Sequence, residues 1–168
     1  AVYTDYGVEM WSWAQSKGFW NFNVWAFFQP FPTHDYFEPR TEGRYLKRPT
    51  KNSVGFWMRS DSRKRFFASL NANIHNHGEP GRTRYNWSFS PTFRVNDKLS
   101  FSYSVWNGLY YNEIGFADFY SNPETGVDEP IMGRRDQVVV ENNFNTAYNF
   151  NANMALTFRL RHYWTKVE

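Results

Sequence analysis

Between Arg82 and Asn112 the chain alternates apolar and polar residues with a period of two. Tyr85, Trp87, Phe89, Pro91, Phe93 and Val95 form one set, and Arg84, Asn86, Ser88, Ser90, Thr92 and Arg94 the other. After a polar turn at Asn96-Asp97-Lys98, Leu99, Phe101, Tyr103, Val105, Leu109 and Tyr111 alternate with Ser100, Ser102, Ser104, Trp106, Gly108 and Tyr110. A period of two belongs to a strand, because successive side chains point to opposite faces. The stretch therefore predicts a long hairpin with one apolar and one polar face. Each arm exceeds the usual soluble strand of about 5–6 residues. It matches the roughly 9–11 tilted residues that cross a bilayer. The fold expected is all-β: an antiparallel up-and-down transmembrane β-barrel.

The same pattern predicts strands at about 3–14, 19–28, 51–60, 65–76, 82–95, 99–112, 134–149 and 154–167. Long outer loops are expected at 29–50 and 113–133. The first of these carries Pro30, Pro32, Pro39 and Pro49, which exclude a central strand or a regular helix there. Short turns after strands one, three, five and seven, and longer connections after two, four and six, match the inner turns and outer loops of such barrels. The lipid-facing set would include Phe22, Val24, Phe56, Leu70, Trp87, Phe89, Phe101, Tyr103, Phe144, Phe158 and Leu160. The lumen-facing charges would be Glu9, Arg59, Arg84, Arg94, Glu141, Arg159 and Arg161. A last turn centred on Asn151 puts Glu141 opposite Arg161. Trp11, Trp13, Trp25, Trp57, Trp106 and Tyr110 fall on polar faces, where they would fill a lumen, join an interfacial belt or stack on sugar rings.

Aromatic residues make up 21% of the 168 residues, yet mean hydropathy is −0.72. Interleaving aromatics with Asn, Ser, Arg and Thr is the mixture a transmembrane barrel requires. No apolar run reaches the roughly 18 residues of a transmembrane helix, and Ala1 to Tyr6 has neither the basic head nor the apolar core of a signal peptide. Cysteine is absent, so disulfides play no part. The net charge of +3 is small and its Lys and Arg are dispersed, which does not suit nucleic-acid binding. With short turns on the inner side, both ends of the chain would lie outside, so the expectation is about eight strands of a larger barrel.

Several dispersed stretches, in order, carry a family resemblance. They are Gln29 to Arg40, Asn76 to Pro91 with Gly78-Glu79-Pro80-Gly81-Arg82, Gly133-Arg134-Arg135-Asp136, and Leu160-Arg161-His162-Tyr163-Trp164. From about Trp20 onward the chain resembles the C-terminal region of a Bacteroidota-type outer-membrane family of unknown function. In that family the barrel-like region follows a domain similar to family 9 carbohydrate-binding modules. The resemblance implies location and fold, and assigns no sugar-binding residue here.

The compact group with metal-ligand character is His34, Asp35 and Glu38, fewer ligands than a closed site needs. The plainer expectation is a loop tied down by Arg40 and Arg44. His75 and His77 share a strand face without a third ligand. No carboxylate couple and no Ser-His-Asp set stands out. The expected function is thus an outer-membrane barrel component for transport, surface-glycan handling or assembly. No cofactor is called for. The expected partners are the lipid bilayer, other outer-membrane or surface proteins, and glycans. The alternatives are a soluble aromatic-rich β-sandwich that binds carbohydrate, and the barrel region of a carbohydrate-active hydrolase.

Overall fold

The computed structural model describes residues 6–124 and 126–168. The strand expected from residue 3 therefore has its first positions outside the described residues, as does Thr125 of the second loop. Ten strands form: β1 (Val8–Gln15), β2 (Asn21–Gln29), β3 (Thr33–Asp35), β4 (Leu46–Arg48), β5 (Lys51–Arg59), β6 (Phe66–His77), β7 (Thr83–Arg94), β8 (Leu99–Ser121), β9 (Asp128–Asn151) and β10 (Met154–Val167). Eight of them make one antiparallel meander in the order β1-β2-β5-β6-β7-β8-β9-β10. The sheet is open, with β1 and β10 at its two edges, so the chain as described does not close into a barrel.

Two connections differ from expectation. Residues 29–50 hold the small β3–β4 hairpin, in which Thr33 pairs with Arg48 and Asp35 with Leu46. The four prolines stay out of these three-residue ladders, so the exclusion of a long strand stands beside a local hairpin. Residues 113–133 are mostly strand: β8 and β9 run on as a paired ribbon past the edges of their neighbours, turning at 122–127. The loop reading failed there because two register shifts, between Tyr110 and Glu113 and between Phe116 and Asp118, interrupt the alternation.

Register makes the faces continuous across the sheet. Phe22 pairs with Met58, Met58 with Leu70, Leu70 with Phe89 and Phe89 with Val105. Tyr103 pairs with Phe144 and Phe144 with Leu160. All eleven residues expected on the apolar face share one side. The seven expected on the polar face share the other, as Arg84 opposite His75 and Tyr110 illustrates. The last hairpin slips relative to expectation: Arg161 pairs with Asn143, and Glu141 lies opposite Tyr163. Glu141 and Arg161 still meet diagonally, at 2.7 Å.

Burial is distributed unusually. Among the described residues the buried hydrophobic side chains are Phe67 and Val139, and both belong to the polar side, opposite Thr92 and Gly108. The guanidinium groups of Arg59 and Arg94 lie 5.0 and 4.9 Å from the Phe67 ring centroid, in range for a cation–π contact. On the apolar face Trp87 and Phe89 are each 41% exposed, and Leu160 is 57% exposed. No second layer covers them among the described residues.

Glycines on the polar face make room for aromatic rings. A Cβ at Gly55 would overlap the indole of Trp25, its cross-strand neighbour. Gly55→Ala should therefore destabilise the fold by about 1–3 kcal/mol through overpacking. Urea titration should show a penalty much smaller than this when the same change is made in a Trp25→Ala background.

The turn between β5 and β6 is held by Asp61, which accepts from Arg63 Nε and Arg63 N at 2.9 and 3.0 Å. Arg63 also stacks over Phe19 of the neighbouring turn. The side-chain donors of Arg63, then its backbone N–H, hold the Asp61 carboxyl at about 2, below its ordinary value of 3.8. A depressed folded value means this contribution is present above 3.8 and is lost as pH falls through about 2. The unfolding midpoint of Asp61→Asn should thus vary less with pH over that window than that of the parent chain.

Candidate functional site

The end of the polar face beside connections 30–50 and 78–82 concentrates charge. Glu113 is 6% exposed and Arg82 5% exposed. Arg84 Nη2 donates to Glu113 Oε2 at 2.7 Å, and its Nε donates to Oε1, a bidentate pair. Arg82 Nη2 donates to the same Oε2 at 3.3 Å. Its Nη1 donates to Glu79 Oε2 at 3.2 Å, and Arg134 approaches Glu79 Oε1 at 3.7 Å. Bidentate guanidinium–carboxylate geometry fixes orientation as well as charge.

A β-bulge brings Glu113 to this place. On β8 the polar set up to Tyr110 is even-numbered, so simple continuation would put Glu113 on the apolar side. Tyr110 pairs with Gln137, but Glu113 pairs with Arg135, so β8 carries one extra residue. Asn112 absorbs it with φ of 55°, a conformation that Asn tolerates better than most residues. Its N–H donates to Asp136 Oδ1 at 2.7 Å and its Nδ2 to Pro80 O at 3.0 Å. The inserted residue inverts the phase, and Glu113 turns towards Arg82 and Arg84.

The Pro-rich connection closes one side. Phe116 N–H donates to Glu38 Oε1 at 2.9 Å, and Arg40 lies 4.5 Å from the Phe116 ring centroid. A cavity of about 510 Å³ remains between this connection and the sheet. Arg48, Lys51, Arg82, Arg84 and Arg135 line it, with Glu38 and Glu113 as its carboxylates.

His34, Asp35 and Glu38 do not converge. Asp35 Oδ1 accepts from the N–H groups of Phe37 and Glu38 at 2.9 and 3.2 Å, and Asp35 pairs with Arg48. The loop's carboxylate is thus tied by Arg48, while Arg40 and Arg44 donate only their backbone N–H groups, to Phe37 O and Thr41 O, and the Arg40 side chain rests on Phe116. Burial alone would raise the Asp35 carboxyl; the two N–H donors and the Arg48 charge outweigh it and hold it below its ordinary 3.8. Glu38 is engaged by Phe116, and His34 packs on Tyr45 with centroids 4.1 Å apart. Among the described residues no three His, Cys, Asp or Glu side chains gather around a cation position. His75 Nδ1 lies 2.7 Å from Ser53 Oγ, and the His77 backbone N–H is taken by Arg82 O.

The expected polar-face charges divide into separate groups. Arg84 joins the Glu113 site, and Arg59 and Arg94 both approach the Phe67 ring. Glu141 pairs with Arg161, Arg159 Nε donates to Asn145 Oδ1 at 2.8 Å, and Glu9 sits on the exposed edge strand β1 opposite Phe27. Glu113 was missed in the sequence because it falls in the stretch 113–133 read as loop, and Arg82 and Arg135 because they stand at the starts of the expected strands 82–95 and 134–149, where no partner was placed opposite them. The one usable signal was a carboxylate, Glu113, directly after Asn112, where the alternation of β8 breaks.

Removing the Glu113 charge leaves the half-buried Arg84 guanidinium without its carboxylate and the buried Arg82 with Glu79 alone. Glu113→Gln should cost about 3 kcal/mol in equilibrium unfolding. Glu113→Gln combined with Arg82→Gln should cost less than the sum of the two single changes, as expected for groups in direct contact.

No curated protein and no solved structure matches the chain. A family model described as a domain of unknown function, DUF5916, matches residues 1–168, more of the chain than the dispersed motifs covered. The chain belongs to the DUF5916 family.

Proposed function

We propose that this domain is a wall of an outer-membrane β-barrel, with the apolar face on lipid and the polar face on the interior. The observation that carries the reading is the inverted burial: the polar side holds the buried side chains, while Trp87, Phe89, Phe158 and Leu160 stand exposed on the other. From Tyr85 to Phe93 the apolar set of β7 spans nine residues, close to the roughly 9–11 that cross a bilayer. Exposed strands of this length would aggregate in water unless covered. Lipid supplies that cover, and pairing at the β1 and β10 edges, directly or through further strands, would complete the barrel.

Polar atoms on the apolar face support the reading by being internally satisfied. Tyr103 OH donates to Asn142 Oδ1, and Asn142 Nδ2 lies 3.3 Å from His162 Nδ1. Asn107 Nδ2 donates to Val139 O at 3.3 Å. In hydrocarbon, backbone and side-chain polar groups must find such partners within the protein. The interior would handle polar solutes or glycans, through transport, surface-glycan handling or assembly with other surface proteins. A Bacteroidota-type setting with a preceding family 9-like carbohydrate-binding domain fits this role.

Phe89→Arg at mid-strand should cost about 2–4 kcal/mol for folding into vesicles. Ser90→Arg, on the opposite face beside Ser69, should be tolerated. Heat-modifiable gel mobility after reconstitution reads both, and equal tolerance of the two changes would rule out the lipid assignment.

A further inference from the structure

We infer that the cleft at the end of the polar face binds a small oxyanion, a carboxylate or phosphate group carried on a polar molecule. This goes beyond the barrel reading, since it holds whether or not the other face meets lipid. Five cationic side chains stand in the wall against two carboxylates. Asp35 and Glu79, set back from the wall, engage Arg48 and one nitrogen of Arg82, and a positive surplus remains. The cavity of about 510 Å³ falls within the range that takes a small ligand, about 300–1,000 Å³.

The arginines are already oriented. Glu113 grips Arg84 bidentately and Arg82 through Nη2, so neither side chain must be ordered when a ligand arrives. Pre-organisation of this kind removes part of the entropic cost of binding. Two buried polar atoms of the wall, Arg82 Nε and His77 Nδ1, have no hydrogen-bond partner. Arg82 is nine-tenths buried and more, and its unpartnered Nε–H can only donate, which keeps the guanidinium's charge incompletely compensated behind the wall. Gln29 and Gln137 in the same wall spend amide N–H groups on Phe31, Thr33 and Thr165, which leaves their carbonyl oxygens to accept from hydroxyl groups on the ligand. The Tyr110 ring stands beside Arg84, whose guanidinium carbon is 5.6 Å from its centroid.

The test is calorimetric titration of the full-length protein in detergent, at low ionic strength and constant chloride. The probes are sodium phosphate, sodium galacturonate and neutral galactose. Saturable binding of phosphate, of galacturonate or of both, with none for galactose, is the expected result. Phosphate alone identifies a phosphoryl site, and galacturonate alone a sugar-acid site. Arg135→Gln, a change at an exposed wall residue, should weaken that binding about tenfold or more, as loss of a charge-assisted contact does. Heat-modifiable mobility confirms that the variant is folded. The inference is overturned if neither anion binds more tightly than galactose. It is equally overturned if binding is unchanged in both Arg135→Gln and Arg84→Gln. A failure of the lipid assignment shows separately, in the reconstitution of the Phe89 and Ser90 variants.

Discussion

The absence of a second layer governs this fold. An antiparallel sheet satisfies its own backbone through cross-strand ladders, but one sheet cannot bury both faces. Here the unburied face is the apolar one. Phe22, Met58, Leu70, Phe89 and Val105 line up across five strands, and among the described residues no second layer covers them. Burial accumulates instead where Trp25 covers Gly55 and where Arg59 and Arg94 cover Phe67. Large rings over glycine, and cations over a ring, let a polar face pack closely while keeping its hydrogen-bonding groups.

The charged end of that face depends on contacts between distant parts of the chain. Arg82 and Glu113 are 31 residues apart, and Glu38 and Phe116 are 78 apart. The first links the short β6–β7 connection to the β8–β9 ribbon, and the second fastens the Pro-rich connection to the same ribbon. The cavity between them exists because both fastenings hold. Cleft and scaffold are therefore coupled: a change at Glu113 acts on stability and on the shape of the wall together.

Most of the strand pattern was legible in the sequence, because a one-residue error in a period-two pattern exposes the wrong side chains. Both sets of face residues were readable in this way, from Phe22 to Leu160 and from Glu9 to Arg161. Register within a hairpin was less so. A turn centred on Asn151 and one with the observed shift between Met154 and Ala155 preserve the same faces. Parity therefore could not say whether Glu141 meets Arg161 directly or diagonally. The β8–β9 ribbon was illegible past Tyr110 because its two shifts erase the period on which the reading relies. The Glu113 site lies beyond the first of them. Dispersed motifs pointed to a family of unknown function, and the family match over residues 1–168 agrees with that much.

The extra residue at Asn112 has a consequence for how such a chain can vary. It acts as a reading-frame shift in space. From Glu113 to the second shift after Phe116, β8 is displayed in the opposite phase, so spacing around the kink matters more than the identity of the residue filling it. Related chains could exchange Asn112 for Gly or Asp and keep their charged end. Loss of a single residue there would preserve composition, motifs and most of the alternation, yet turn Glu113 to the face where it has no arginine to meet.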